Sequence, residues 1–357
     1  MARAAALGGP RPFGALKDEF GEDLLRRAAV WMTLRESKAS FTLEGEADRV
    51  GRGQRFADGM ARRTGQGEVP LSDLALAELQ REILGDRTTI VHFGLRQSPE
   101  FVGETVRYPG VVQDVAPAAE EVGAVLEGLR MFVGRTRDQS AVMHSAVAAF
   151  GFICIHPRAD GDGRVHRFLV NDILRRDDII PDPVILPIAA VITDDAGERS
   201  GYARVLEHVS IPRMQAVRAL VVFESTHSTF SDGVVSNFAG HGGDQARPLW
   251  RHPDLRPHVV FLANIIGRTL TGKMREESHD LRSHARARAA LQEVVEMPDP
   301  QADRVLRSIE QNRGELSNVL AREKPVLKQI GVWAEIVAAV SRAFADEGGA
   351  DGAVIGR

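Results

Sequence analysis

His156-Pro157-Arg158-Ala159-Asp160-Gly161-Asp162-Gly163-Arg164-Val165-His166-Arg167 packs imidazoles, carboxylates, glycines and guanidiniums into twelve consecutive positions. The run before it, Val147 to Ile155, is apolar and reads as the end of a buried helix. After the glycines, Val165, Leu169 and Ile173, with Phe168 beside them, return at helical spacing. The polar residues therefore sit on a tight loop between two core helices. A helix starting near residues 162–164 points free N–H groups and its positive dipole end at that loop, which suits an anion. Arg164 and Arg167, at i and i+3, add bidentate donors for phosphate oxygens. Gly161 and Gly163 let the backbone come close to such a ligand. The pattern is a phosphate cradle with a histidine beside it.

These residues resemble the signature loop of Fic-domain proteins, His-Pro-Phe-x-Asp/Glu-Gly-Asn-Gly-Arg-x-x-Arg. His156, Pro157, Asp160, Gly161, Gly163, Arg164 and Arg167 match in identity and spacing. Arg158 stands where the family usually has Phe, and Asp162 where it usually has Asn. Upstream, Ser40-Phe41-Thr42-Leu43-Glu44-Gly45 resembles the family's inhibitory motif, Ser/Thr-x-x-x-Glu-Gly/Asn. On the residues alone, Ser-x-x-x-Glu-Gly is also an ordinary helix end closing at Gly45. A third segment, Thr88 to Arg107, has short apolar runs, β-branched residues and glycine breaks that suggest a hairpin. It resembles the family's flap, which pairs with an extended target segment by strand addition; a purely structural hairpin is the other reading. Phe101, Val102 and Gly103 are expected near the nucleotide.

The resemblance covers about Leu16 to Met214. It implies an all-α fold, a Fic-type helical core with a small β-hairpin flap, followed by a C-terminal helical region. It also implies transfer of AMP from ATP to a Ser, Thr or Tyr hydroxyl of a target protein docked on the flap. His156 would be the general base, and Asp160 would hold Mg²⁺ bridging the α- and β-phosphates. Backbone N–H groups around Gly161, Asp162 and Gly163 would stabilise the α-phosphate, and Arg164 and Arg167 would bind the β/γ end. Glu44, with Ser40 and Gly45 framing it, would occupy Arg167 and keep the γ-phosphate from seating. Aspartate at 162 accepts hydrogen bonds where asparagine donates one. Arg158, a cation in an aromatic's place, needs a partner such as Asp160, Asp162 or the nucleotide if buried. Altered nucleotide use is one expectation. A hydrolase that removes AMP with Glu44 positioning water, a catalytically impaired binding protein, and a different donor are the alternatives. The class with an N-terminal inhibitory helix also implies a homodimer.

The chain has 357 residues, 43% hydrophobic and 26% charged, with a net charge of −4. That charge gives no general attraction to nucleic acid or anionic membrane. The single cysteine, Cys154, excludes an intramolecular disulfide and a Cys-rich zinc site, and its apolar setting suggests core. No stretch reaches membrane-spanning length, and Met1 to Pro12 lacks the apolar centre of a secretory signal, so the expected compartment is the cytoplasm.

Three regions are expected: 1–85, N-terminal and helical with the inhibitory motif; 86–226, the core with flap and loop; and 227–357, C-terminal and helical. Helices are predicted over 17–40, 70–83, 117–133, 139–155, 201–224, 259–274, 303–320 and 325–344. Residues 45–67, rich in glycine and arginine, are predicted as a loop, 181–195 as extended, and 227–251 as a boundary. Tyr202 fits either core or a wall against the adenine. Arg282, His284, Arg286 and Arg288 alternate at spacing two and so point around a helix axis, as a solvated surface does.

Overall fold

The computed structural model describes residues 12–46, 51–85, 91–104, 111–137, 139–240 and 243–345. The chain separates into two compact units, Met1–Met274 and Arg275–Arg357. In order along the first come helices α1 (Pro12–Phe20), α2 (Glu22–Leu43), α3 (Arg52–Arg63) and α4 (Asp73–Leu84). A hairpin of β1 (Phe101–Glu104) and β2 (Val111–Val115) follows, then α5 (Ala119–Arg135), α6 (Ala141–Ile155), α7 (Asp162–Arg176), α8 (Ile188–Asp194) and α9 (Ala196–Val217). A second hairpin, β3 (Phe223–Thr229) and β4 (Val235–Phe238), precedes α10 (Gly243–Arg251) and α11 (Arg256–Arg268). Helices dominate, as the sequence predicts.

The centre is α6. Val142, Ala146, Ala148, Ala149, Phe150, Phe152 and Ile155 are all buried, so this helix is covered around most of its circumference. Ser140 caps it, its hydroxyl accepting from the Met143 N–H at 3.4 Å. α7 packs along it, burying Val165, Phe168, Leu169 and Ile173, the stripe read from the sequence. Asn171 on α7 fastens the 186 segment in both directions, accepting from the Leu186 N–H at 2.8 Å and donating to its carbonyl at 3.3 Å.

Several segments differ from expectation. The stretch 45–67 contains α3 rather than a loop (residues 47–50 lie outside the described set). Its Gly53, Phe56, Ala57 and Met60 share one buried face, a helical period that the surrounding glycines and arginines disguise. Within 181–195 the extended run ends at Pro187, and α8 follows because Ile188 to Ile192 are all buried. The helix predicted from 201 starts at Ala196, where Asp195 Oδ1 accepts from the Gly197 and Glu198 N–H groups at 2.7 and 3.2 Å. It stops at Val217, and the β-branched run that follows leads into β3. The stretch 227–251 runs through the second hairpin and α10, inside the first unit. The helix expected over 259–274 is α11 followed by a π-turn over Thr269–Lys273.

The second unit has its own core. α12 (Met274–Val294), α13 (Asp299–Gln311), α14 (Asn318–Glu323) and α15 (Val332–Ala345) bury Leu291, Val305, Leu306, Leu320, Ile336 and Val340 together. Arg313 and Gly314, both at positive φ, break the helix predicted over 303–320. Arg288 pairs with Asp299 and Asp303 at 3.1 and 2.8 Å, and His284 lies 3.6 Å from Glu310.

The first hairpin also differs from expectation. Its strands are 101–104 and 111–115, while 91–100 is irregular; residues 88–90 and 105–107 of the predicted hairpin lie outside the described residues. β1 and β2 are antiparallel, with Val102 opposite Asp114 and a bulge between Val102 and Gly103. Phe101 packs with Phe223 and Phe238, its ring centroid 5.4 and 4.9 Å from theirs, which fixes the hairpin base on the second hairpin. At Gly103 a Cβ would lie 2.2 Å from the Val111 carbonyl oxygen. Gly103→Ala is therefore expected to unzip this hairpin alone. Amide exchange should quicken at 101–104 and 111–115 and stay slow in α6 and α7; unchanged exchange in the hairpin would refute the crowding argument.

Candidate functional site

His156 ends α6 in the left-handed region, with φ 46° and ψ 63°, and its N–H donates to the Phe152 carbonyl at 3.3 Å. Glycine is the usual residue for this cap, so an imidazole here carries a small conformational cost and points to use of the side chain. Two buried arginines fix the turn from outside. Arg96 Nε donates to the His156 carbonyl at 2.7 Å, and its amino groups donate to the Ser98 and Pro117 carbonyls at 2.7 and 2.5 Å. Arg213 Nη1, from α9, donates to both carboxylate oxygens of Asp114 at 3.0 and 2.9 Å and to the Val115 and Cys154 carbonyls at 3.3 and 3.5 Å. Burial, then the charges of Arg213 and Arg96, push the His156 pKa down to about 3, so the ring is neutral at physiological pH. Cys154 behind it is buried, and burial lifts its thiol pKa to about 11.

Gly161, at φ 86°, starts α7, and the arginines of its first turns are buried beneath the end of α2. Arg167 donates through Nε to the Ser40 hydroxyl at 2.5 Å and through Nη2 to the Ser40 carbonyl at 3.1 Å. The same Nη2 makes a charge-assisted hydrogen bond to Glu44 Oε1. Arg164 donates to Asp160 at 3.0 Å and to Glu46 at 3.1 Å, lies 3.5 Å from Glu44 Oε2, and stacks over Phe41 at 5.0 Å. Glu44 ends α2, where the helix dipole disfavours a carboxylate; the two guanidiniums offset that. Gly45, at φ 70°, follows the helix end. At Gly163 a Cβ would fall 2.4 Å from Glu44 Oε1, so this glycine makes room for the glutamate. Ser40, Glu44, Arg164 and Arg167 thus converge.

The departing residues form a pair. Asp162 accepts from Arg158 Nε at 3.2 Å and from its backbone N–H at 3.3 Å, and its Oδ2 lies 3.7 Å from His156 Nδ1. Burial raises the Asp162 pKa to about 6 although Arg158 opposes it. Asp160 is 42% exposed, with Oδ1 on Arg164. Glu100 is close enough for Asp162 and Asp160 to add to the effect of burial, which together lift its pKa to about 8.

Tyr202 is half-buried beside Phe150, His166 and Phe261, with ring centroids 6.4, 6.2 and 6.1 Å away, and burial raises its phenol pKa while Arg167 lowers it. It therefore belongs to an aromatic cluster that reaches Arg167. Val102, 38% exposed, and Gly103 lie on β1.

Sequence reasoning missed Arg96, Arg213, Glu46, Glu100 and Glu36. Glu36, fully buried on α2, accepts from the Ala189 and Ala190 N–H groups at 2.6 and 3.4 Å, and burial lifts its pKa to about 8. Its place four residues before Ser40 and eight before Glu44, on one helix face, was the available signal.

No family model matches the chain. It is 29% identical over 126 residues to protein adenylyltransferase fic-1 of Caenorhabditis briggsae, a match covering 34% of this chain and 22% of that protein. The fic-1 protein of Caenorhabditis elegans is 28% identical over the same length and coverage. The chain thus spans about a fifth of the length of these relatives. A solved Fic family protein from Desulfovibrio desulfuricans G20 shares the fold, with a TM-score of 0.51, 18% identity, and coverage of 90% of this chain and 85% of that one.

Proposed function

We propose that this chain is a Fic-domain protein that transfers AMP from ATP to a hydroxyl of a protein side chain, restrained by Glu44. The observation that carries the reading is the convergence, at one helix N-terminus, of a neutral imidazole and two buried guanidiniums whose present partners are carboxylates. Carboxylates stand where phosphate oxygens would be held. The names of the fic-1 relatives give the reading its nucleotide.

In this mechanism Arg164 and Arg167 bind the β/γ end of the triphosphate once Glu44 and Glu46 withdraw. The N–H groups opening α7 face the α-phosphate. The target oxygen attacks the α-phosphorus, the bond to the α–β bridging oxygen breaks, and pyrophosphate leaves. His156 takes the hydroxyl proton; with Nδ1 turned to Asp162, Nε2 is the nitrogen that receives it. Its low pKa in the free protein rises when the triphosphate brings negative charge beside it. Among the described residues no group of three or more His, Cys, Asp or Glu could hold a metal. The exposed carboxylate of Asp160 would be the side chain to hold Mg²⁺, which is bound through one or two carboxylates together with substrate phosphates. Such an ion would offset charge on the leaving pyrophosphate. The target segment would pair with the β1–β2 hairpin.

The test uses α-labelled ATP with the wild-type chain, Glu44→Gly, and Glu44→Gly/His156→Ala. Label is expected on protein in Glu44→Gly and is expected to fall by about a hundredfold or more on loss of His156. No label in any folded variant, with ATP and Mg²⁺ present, would end the AMP reading.

A further inference from the structure

We infer that Arg158 is a direct ligand for a phosphate oxyanion, a third guanidinium of the cradle beside Arg164 and Arg167; this deepens the proposed function by naming a residue of that site. The side chain of Arg158 is completely buried. Asp162 uses only its Nε and backbone N–H. Nη1 and Nη2 are shut off from solvent and make no hydrogen bond among the described residues. Four charged N–H donors left without partners in a protein interior are costly. Neutralising Asp162 does not account for them, because the aspartate engages the other edge of the guanidinium.

Their direction supplies the reason. A Cβ at Gly161 would lie 3.0 Å from Arg158 Nη2, 3.6 Å from Arg164 Nη2 and 3.7 Å from Arg164 Nε. Two guanidiniums, one from the loop and one from α7, therefore converge on the face of the backbone where residue 161 has no side chain. Like charges brought to one place are stabilised by an anion between them. Asp160 meets Arg164 and Asp162 meets Arg158, but neither reaches the Arg158 amino groups. An oxyanion over Gly161 would take those donors and the positive end of α7 together. Asp162 alone would repel such a group; Arg158 both cancels that charge and adds donors.

The test is calorimetric titration of inorganic pyrophosphate into the full chain carrying Glu44→Gly, alone, with Arg158→Met, and with Arg158→Met/Asp162→Ala. Loss of Arg158 is expected to weaken binding by about tenfold or more, and removing Asp162 as well is not expected to restore it. Full recovery in the Arg158→Met/Asp162→Ala protein would mean that Arg158 only neutralises Asp162, and would overturn the inference. So would unchanged affinity in Arg158→Met, or no pyrophosphate binding by Glu44→Gly. If Arg158→Met alone does not fold, the uncharged pair still decides, since it buries no unpaired charge. Arg158-dependent pyrophosphate binding without label transfer from ATP would sink the AMP reading and leave this inference standing.

Discussion

Replacing Glu44 by glycine is expected to raise incorporation of label from α-labelled ATP by about 10- to 100-fold. Hydrogen bonds to charged groups contribute about 1.5–3 kcal/mol each, and each 1.36 kcal/mol is a factor of about ten. Glu44 makes one such bond to Arg167 and lies 3.5 Å from Arg164, so an incoming phosphate must displace it from both. Glu46 remains on Arg164 when Glu44 is gone. Glu44→Gly/Glu46→Gln is therefore expected to exceed Glu44→Gly, by a smaller factor because Glu46 is 36% exposed and partly screened. The increase should appear as tighter ATP binding in calorimetry as well as faster labelling. Release of AMP from a labelled protein that is present in wild type and disappears in Glu44→Gly would reverse the sign and make Glu44 a participant, as hydrolysis with a glutamate-positioned water requires.

The contacts behind that expectation differ in how far they could be read from the chain. The loop from His156 to Arg167 carries its chemistry within twelve residues, so its residue types, glycines and flanking periods are all visible together. The partnership of Glu44 with Arg167 crosses 123 positions and was accessible only because both ends lie in recognisable patterns. Arg96 to the His156 carbonyl crosses 60 positions, Arg213 to Asp114 crosses 99, and Glu46 to Arg164 crosses 118. None of Arg96, Arg213 and Glu46 sits in a pattern, because a charged residue that finds its partner through the fold looks in sequence like any solvated one. The second hairpin was missed for a related reason. Residues 224 to 229 of β3 are polar and exposed, with no apolar alternation to mark a strand, and pairing is set by the aromatic cluster at its base. The loop's residues could be read locally; the packing that aims them could not.

That packing carries the second large effect. Arg213→Met is expected to destabilise the chain by about 3–5 kcal/mol at neutral pH, the usual cost of stranding one member of a buried ion pair. Arg213 is fully buried, and its Nη1 holds both oxygens of Asp114 while touching the Val115 and Cys154 carbonyls. Methionine can refill the volume but donates nothing to these four acceptors. The pH dependence follows from Asp114. Burial raises its pKa above the ordinary aspartate value even with Arg213 opposing, and without Arg213 the rise is larger. A carboxyl whose folded pKa exceeds its unfolded one binds more protons when folded between the two values, so stability falls as pH rises through that window. Part of the loss in Arg213→Met should therefore return on acidification toward the unfolded pKa. Denaturant titrations of both proteins at several pH values check this. A loss below about 1 kcal/mol would mean that the pair stabilises no more than an exposed one, and a loss that deepens on acidification would contradict the sign derived for Asp114. The same substitution removes one of the two cations that depress the His156 pKa and frees the Cys154 carbonyl in the last turn of α6. In the Glu44→Gly background it should accordingly lower the labelling rate under conditions where the chain is still folded, because the turn that presents His156 has lost its anchor to α9.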